Sequence, residues 1–262
     1  MVLWRDAVVR ELIAYGRELE SSRAAQAGES FTDVPGANEL IEASPNAFLL
    51  GVLFTQGIPA ERAWAGPYQL GLRLGTLELE YLARHPDEVR AAFQAPPMLH
   101  RFKETMPRWV SQAAGLLLAD YEGLASNVWR PGSSVLAVTE RLSAFPGIGR
   151  KKAVMAVEIL VRHFGVNLGG RECGQVAYDV QVRRVFLRSG LADVDSREAI
   201  EDAAAAACPA APGTLDLPAW LIGRETCRPK SPLCETCRLG RVCPRLVYRT
   251  VEGVGAHRRA HD

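Results

Sequence analysis

The chain has 262 residues, 48% of them hydrophobic, so it can bury one large core or two smaller ones. Its N-terminus carries charges where an export signal needs an apolar run, and its longest strongly apolar stretch, residues 48–54, is too short to cross a bilayer. These features argue against a membrane protein, and we expect an intracellular, cytoplasmic one.

The net charge of +1 conceals an uneven distribution. Residues 140–190 hold nine Lys or Arg against four Asp or Glu, and residues 221–262 hold the same numbers, so the remainder is acidic. Two basic segments favour one face that binds an anionic polymer, although unrelated solvated faces explain the counts equally well. The motifs must decide between these interpretations.

Helical signals recur along the chain and strand signals are scarce, which predicts an all-α fold. Ser44 and Pro45 supply an N-cap and an N1 proline for an apolar helix through Leu53. Further helices are predicted from Pro59, from Thr76 to before Pro86, from about Arg108 to Tyr121, from Ser134 to Ser143, from the turn at 145–149 to Phe164, from an Asp195 cap through the alanine run, and over 217–226. Residues 165–177 have no hydrophobic period and read as a loop.

The turn at 145–149 reads Phe-Pro-Gly-Ile-Gly and is followed at once by Arg-Lys-Lys. Its glycines leave the backbone bare, and the helix that begins there directs free N–H groups and a positive dipole end outwards. A phosphate is the natural ligand, although Pro-Gly-Ile-Gly alone would also serve as a plain helix connector. The predicted phosphate contacts are Pro146, Gly147, Ile148, Gly149, Arg150 and Lys152.

Lys151 and Asp179 each have two interpretations. Lys151 is either a solvated, phosphate-binding lysine or a nucleophile, because a helix N-terminus and two cationic neighbours favour the free amine. Asp179 precedes an apolar helix, where an aspartate is most often only an N-cap. Sequence spacing alone cannot place these two residues side by side.

Four of the six cysteines lie in one short window with the spacing C-x6-C-x2-C-x5-C: Cys227, Cys234, Cys237 and Cys243. Thiolates this close, in a chain without an export signal, favour metal ligation over disulfides. Structural zinc sites usually combine two tight cysteine pairs, and this segment has one. The pattern therefore favours a cubane, whose four irons each take one ligand, with zinc and then disulfides as the alternatives. Cys173 and Cys208 are expected to be ordinary thiols.

Taken together, these residues closely resemble endonuclease III, in the helix-hairpin-helix/GPD superfamily of DNA glycosylases. Phe145 to Lys151 is similar to that family's Leu-Pro-Gly-Val-Gly-Arg-Lys hairpin, and Tyr178-Asp179 to its Val-Asp. Residues 219–227 and the three later cysteines follow its C-terminal pattern, and Leu53 to Gln56 resembles its Leu-Ser-Ala-Gln segment. The match covers roughly residues 44–244.

The resemblance implies two domains with a DNA cleft between them. A six-helix barrel that includes the hairpin would span residues 44–164, and residues 1–43 with 165–250 would form the iron–sulfur cluster domain. Residues 251–262 would be a basic tail. The implied cofactor is a structural 4Fe-4S cluster, and the implied partner is double-stranded DNA with a damaged base or an abasic site. We expect a monomer.

The resemblance also implies a mechanism. Lys151 would attack C1′ of a flipped nucleotide, expel the base and form a Schiff base, with Asp179 as the assisting carboxylate. Gln56 would fill the gap left by the flipped base, while Arg228, Lys230 and Arg238, with other arginines around the cluster, would hold phosphates. The expected activity is removal of oxidised pyrimidines followed by β-elimination at the abasic site.

Three departures from the family bear on this expectation. Val180 and Gln181 stand where the family usually has Thr-His, residues 165–178 form a longer loop than usual, and residues 99–106 do not match its intercalating loop. The alternatives are a monofunctional glycosylase for uracil, mismatched thymine or adenine, and a non-catalytic protein that binds damaged DNA. Lys151 argues against the first alternative, and Lys151 with Asp179 argues against the second.

Overall fold

The computed structural model describes residues 3–25 and 30–247, and this part of the chain is helical, with short 3-10 turns and no β-strand. It divides into two compact units. Ala27–Gly169 forms the hairpin unit, and Met1–Gln26 with Gly170–Asp262 forms the cysteine unit. The all-α prediction is confirmed. The expected basic tail, residues 251–262, lies outside the described residues.

The hairpin unit is built around one apolar helix. Its helices are α2 (Pro35–Ala43), α3 (Pro45–Phe54), α4 (Ala60–Trp64), α5 (Gly66–Leu74), α6 (Leu79–Arg84), α7 (Pro86–Gln94), α8 (Thr105–Asp120), α9 (Val135–Ser143) and α10 (Arg150–Arg162). Every residue from Ala47 to Phe54 is buried, because α3 is apolar on all sides and α2, α5, α8 and α10 pack around it. The hairpin, which directly precedes α10, therefore lies next to this core.

Two of the predicted helix starts are confirmed by side-chain caps. The Ser44 hydroxyl accepts a hydrogen bond from Ala47 N at 3.2 Å, and the Ser134 hydroxyl accepts one from Ala137 N at 3.1 Å. Each satisfies one of the amide donors that a helix start leaves without an internal partner. These caps fix where α3 and α9 begin.

Other helix boundaries differ from the prediction. Thr76 does not begin α6: its hydroxyl accepts from Glu78 N at 3.1 Å in the turn before the helix, and α6 starts at Leu79. Helix α5, which the sequence analysis did not predict, contains two glycines, and a Cβ on Gly66 would lie 2.1 Å from the Phe54 ring. Packing against Phe54 therefore requires glycine at position 66, although glycine has a low helix propensity and makes the helix harder to predict from sequence.

In the described part of the cysteine unit there are four α-helices: α1 (Leu3–Ala25), α11 (Val180–Arg188), α12 (Arg197–Ala207) and α13 (Asp216–Glu225). Val8, Leu12, Phe186 and Ile222 belong to its core. Helices α11 and α13 cross closely at Gly223. A Cβ added at this glycine would lie only 2.6 Å from Gln181 O. Within the described residues, no helix is long and apolar enough to cross a membrane.

The predicted cap at Asp195 is wrong. Ser196 caps α12 instead, with its hydroxyl accepting from Ala199 N at 3.1 Å. The Asp195 carboxylate accepts from the Tyr178 hydroxyl at 2.8 Å and from Arg183 Nη1 at 2.7 Å. Because Arg183 and Tyr178 bind the Asp195 carboxylate, this side chain does not cap the helix, and the next residue, Ser196, does.

Candidate functional site

The hairpin turn depends on glycine at position 147. Gly147 has φ +81°, and a Cβ there would lie 2.4 Å from Trp109 and 2.9 Å from Leu53. Ile148 is buried, and its amide donates to Phe145 O at 3.0 Å. The turn therefore rests tightly on α3 and α8, which fixes the position of the helix that follows.

The start of α10 offers its amides without a side-chain cap. Gly149 is the N-cap residue and has no side chain that could accept from the first amides of the helix. Such a helix start combines orphan N–H groups with the positive end of the helix dipole and favours an anion. Pro146 and Arg150 flank it as half-buried residues, and Lys151 is exposed one position further on.

The two adjacent lysines lie in different environments. Lys151 is exposed, whereas the Lys152 side chain runs into the protein, and the residue is only 8% exposed. Lys152 Nζ donates to Leu53 O at 2.8 Å and to Gly147 O at 3.0 Å. Burial, with a smaller contribution from the charge of Lys151, lowers the pKa of Lys152 to about 8. Lys152 therefore braces the hairpin from inside.

Gln56 lies in the turn that follows α3. It is half-buried, and the next residue, Gly57, has φ +67°, a conformation that favours glycine. Gln56 belongs to the same unit as the hairpin and lies three residues after Leu53. Leu53 contacts both Gly147 and Lys152. The turn and the hairpin are thus joined through the end of α3.

Asp179 is the N-cap of α11. One carboxylate oxygen accepts from Gln181 N at 2.8 Å, as the cap interpretation expected, and the residue is 8% exposed. The chain before it is held by Asp216, a buried residue whose carboxylate accepts from Ala177 N at 2.7 Å. Asp179 therefore has a fixed backbone on both sides.

The two residues that follow Asp179 lie in different environments. Val180 is 49% exposed and presents an apolar surface next to Asp179. The Gln181 side chain hydrogen-bonds to Arg184 Nη2, so it is engaged inside the cysteine unit. Position 180 therefore offers no hydrogen-bonding side chain beside Asp179.

The four clustered cysteines line one cavity. Their neighbours in its wall include Val185, Ile222 and Leu239 on the apolar side and Arg188 on the polar side. All six cysteines are free thiols in this structure. The Cys243 thiol interacts electrostatically with the other three of the set, Cys227, Cys234 and Cys237. The C-terminal window therefore folds so that its thiols face a common space.

N–H donors surround these sulfur atoms. Arg188 Nη1 lies 3.8 Å from Cys227 Sγ, and the amide of Arg245 donates to Cys243 Sγ at 3.3 Å. Burial raises the pKa of the Cys227 and Cys243 thiols, and these donors act in the opposite direction. Hydrogen bonds to sulfur are the interactions that stabilise metal-bound thiolates.

The cavity offers the sulfur atoms of Cys227, Cys234, Cys237 and Cys243 as ligands. Within the described ranges, no three His, Cys, Asp or Glu side chains form a group that could hold a metal ion. A single zinc needs its sulfurs about 2.3 Å from one point, whereas a cubane takes each thiolate at a different iron. Four thiols that line one cavity are a donor set that a 4Fe-4S cluster would take, with one thiolate to each iron.

Two buried arginines that sequence reasoning missed organise the cysteine segment. Arg188 donates to Arg228 O at 2.6 Å and Pro229 O at 2.9 Å, and Arg184 donates to Cys227 O at 2.5 Å and Gly223 O at 2.7 Å. Arg184 and Arg188 lie four residues apart and therefore on the same face of α11, next to the buried Val185. This spacing is the signal in the sequence that both side chains point inwards.

The predicted phosphate-binding residues of the C-terminal segment lie on its surface. Arg228 and Lys230 are exposed, and Arg228 Nε donates to Glu225 O at 3.1 Å. Arg238 is also exposed, but it forms ion pairs with Glu18 and Glu11 of α1 and lies 5.1 Å from the centre of the Tyr15 ring. Acidic neighbours thus compensate the charge of Arg238.

Comparisons with known proteins show similarity at the level of the fold. No family model matches the chain, and a comparison with curated protein sequences finds no match. A solved structure of a non-covalent endonuclease III–DNA complex is 20% identical, with a TM-score of 0.59, and the match covers 90% of this chain and 97% of that one. A trapped endonuclease III–DNA covalent intermediate is 21% identical over 81% of this chain and 94% of that one, with a TM-score of 0.58.

A thermostable thymine-DNA glycosylase is 14% identical, with a TM-score of 0.62, and the match covers 93% of this chain and 96% of that one. At such identities the comparisons establish the fold and leave the reaction open. The chain therefore has the fold that these endonuclease III and thymine-DNA glycosylase structures share.

Proposed function

We propose that this chain is a DNA glycosylase with an associated lyase activity, which removes oxidised pyrimidines from duplex DNA through Lys151. The observation that carries the proposal is the contrast at the start of α10. An uncapped helix N-terminus suited to a phosphate is followed by one lysine that is exposed and one that is buried and engaged. The fold itself is one that DNA glycosylases use.

Lys151 acts as the nucleophile in this proposal. Its neutral amine attacks C1′ of the flipped nucleotide, the bond from C1′ to the base breaks, and the base leaves with the electron pair. The attached nitrogen loses one proton, and its lone pair then breaks the bond between C1′ and O4′ while O4′ takes up a proton, which gives the protonated Schiff base. Removal of a C2′ proton then breaks the bond between C3′ and the phosphate oxygen, which nicks the strand. Lys152 cannot take this part, because its amine is held by two carbonyls.

Asp179 supplies the assisting carboxylate. It would stabilise the positive charge that develops on the sugar and accept a proton from the Lys151 ammonium. Its cap hydrogen bond to Gln181 N occupies one oxygen, Oδ1, and orients the carboxylate. The amides of Gly149 and the first turn of α10, with Arg150, would hold a phosphate and set the register of the DNA.

Cys227, Cys234, Cys237 and Cys243 would hold a 4Fe-4S cluster, with Arg188 and the Arg245 amide donating to their sulfur atoms. When bound, the cluster supplies folding free energy to the segment that it closes. Arg228 and Lys230, which this segment carries, would then meet DNA phosphates.

The test is base release from duplexes with thymine glycol or dihydrouracil, measured for wild type, Lys151→Ala, Asp179→Asn and Lys230→Ala. The proposal expects release by wild type, loss of at least about 10²-fold for the first two variants and only weaker binding for Lys230→Ala. Release by wild type that Lys151→Ala retains in full would instead identify a monofunctional glycosylase. Tight binding to abasic DNA without any release or strand cleavage would identify a non-catalytic DNA-binding protein.

A further inference from the structure

The C-terminal end of α3 is closed by residues from three parts of the chain. A helix end leaves its last carbonyls without partners inside the helix. Here Val52 O accepts from the Thr55 hydroxyl at 2.7 Å, Leu53 O accepts from Lys152 Nζ at 2.8 Å, and Phe54 O accepts from His100 Nε2 at 3.1 Å. Two of these three donors are distant in sequence, so they tie α3 to α10 and to the segment before α8.

His100 uses both of its ring nitrogens. Nε2 donates to Phe54 O, and Nδ1 accepts from the amide of Phe102 at 3.1 Å, so the ring is the neutral Nε2–H tautomer. The residue has no exposed surface. Burial is the largest cause and lowers the pKa of His100, the hydrogen bond to Phe54 O raises it by less, and the charges of Lys152, Arg62 and Arg101 each lower it by a smaller amount. His100 is therefore a fixed bridge between α3 and residues 100–102.

The turn after α3 is held from its other side by the same segment. Arg101 Nη1 donates to Gly57 O at 3.2 Å, and a Cβ on Gly57 would lie 3.2 Å from the Phe102 ring. The Arg101 guanidinium lies 5.0 Å from the centre of that ring. Gln56 is therefore flanked in the chain by a closed helix end and by a glycine that the 101–102 segment contacts.

Lys152 extends this arrangement to the hairpin. The amine that donates to Leu53 O also donates to Gly147 O at 3.0 Å. One side chain thus fixes the distance between the last turn of α3 and the hairpin turn. With His100, it connects the turn at residues 55–57, the segment at 100–102 and the hairpin through hydrogen bonds to consecutive carbonyls.

We propose that His100 and Lys152 are positioning residues that fix Gln56 relative to the hairpin, so that the chain can distinguish damaged from undamaged DNA. The inference rests on the proposed function, in which the hairpin holds a DNA phosphate, and on the expectation from the family resemblance that Gln56 fills the gap left by the flipped base of the same duplex. A hydrogen bond constrains a backbone atom far more sharply than apolar packing does, because it depends on direction as well as distance. Loss of either bridge lets the turn at Gln56 move while the core remains packed.

The experiment measures selectivity, defined as the Kd for an undamaged duplex divided by the Kd for the same duplex with a tetrahydrofuran abasic analogue. His100→Leu removes both ring hydrogen bonds, His100→Gln keeps one donor and one acceptor, and His85→Leu changes an exposed histidine of the same unit. We expect about a tenfold loss of selectivity in His100→Leu, substantial recovery in His100→Gln and no change in His85→Leu.

A double-mutant cycle separates positioning from general destabilisation. If His100 acts through Gln56, His100→Leu lowers selectivity no further in a Gln56→Ala background. Full additivity of the two effects would overturn the inference. Should His100→Leu prove insoluble, Lys152→Met breaks the other bridge and is subject to the same cycle.

The wild-type measurement separates a failure of the positioning inference from a failure of the proposed function. Selective wild type with unchanged selectivity in His100→Leu or Lys152→Met overturns the positioning inference alone. Wild type without any preference for the abasic analogue overturns the proposed function, and the inference with it.

Discussion

Lys152 makes the stability of this protein depend on pH in a predictable direction. Its pKa is lowered from the usual 10.5 to about 8 by burial and by Lys151. Between these values the unfolded chain holds the proton more tightly than the folded one, so the free energy of unfolding rises as the pH increases. The neutral amine still has two N–H donors, one each for Leu53 O and Gly147 O.

The magnitude follows from the two pKa values. Keeping the ammonium in its buried site costs about 3 kcal/mol at pH 7, since one pKa unit corresponds to about 1.4 kcal/mol. At pH 9.5 the cost has fallen to about 1.4 kcal/mol, because the folded amine is then neutral and only the one unit between this pH and the unfolded pKa of 10.5 still counts. Wild type should therefore gain about 2 kcal/mol from this residue between pH 7 and pH 9.5.

The assay is urea unfolding, followed by circular dichroism, of wild type, Lys152→Met and Lys103→Met at both pH values. Lys103 is exposed and lies in the same unit, so its variant controls for the loss of a surface lysine. The stability difference between wild type and Lys152→Met should shift by about 2 kcal/mol in favour of wild type at the higher pH. A shift no larger than that of Lys103→Met would refute this account of the buried amine.

Three further substitutions have matched controls elsewhere in the chain. Gly223→Ala should cost about 1–3 kcal/mol in thermal unfolding because its Cβ meets Gln181, whereas Gly115→Ala, with nothing within 4 Å, should be neutral or stabilising; equal effects would contradict the close crossing of α11 and α13. Arg188→Met leaves Arg228 O and Pro229 O without this donor and should lower the free energy of unfolding by about 2–4 kcal/mol. The exposed Arg90→Met should lower it by only about 0.5 kcal/mol. Similar small losses in both variants would show that Arg188 does not stabilise the cysteine segment. Cys237→Ser should lose the brown chromophore and most soluble protein while Cys173→Ser, at an exposed thiol, keeps both, and a soluble, colourless, fully active Cys237→Ser would show that the cluster assignment is wrong.

Helix starts could be predicted from sequence where the determinant is local. Ser44 and Ser134 each supply a hydroxyl to an amide three residues on, and neither needs a distant partner to do so. Asp195 carries an equally suitable side chain, but Arg183 and Tyr178 engage its carboxylate from another part of the fold. No pattern in the neighbouring residues reports that competition, so the cap was assigned one residue too early.

The two lysines show how much of the candidate site the sequence could reveal. Arg150, Lys151 and Lys152 read as a run of phosphate-binding cations, yet the helical period already separates them. Lys152 lies four residues before Ala156 and eight before Leu160, both on the buried stripe of α10. The period therefore predicts an inward direction for Lys152, while its two carbonyl partners depend on how α3 packs and could not be predicted.

His100 was beyond sequence reasoning for a related reason. It lies in a segment without regular structure, and its partners are backbone atoms of Phe54 and Phe102, which carry no side-chain signature. The segment at residues 99–106 also lacks the family's loop pattern. Its relation to the turn at Gln56 emerges only when the end of α3 is folded.

The most direct test of the proposed chemistry is borohydride trapping on an abasic duplex, followed by peptide fragmentation to locate the adduct. The account predicts one covalent complex with wild type, with the sugar attached to Lys151 Nζ, and none with Lys151→Ala. An adduct on Lys152, or a complex that Lys151→Ala forms as readily as wild type, would contradict the assignment of the nucleophile. Absence of any trapped complex with active wild type would contradict the lyase mechanism itself.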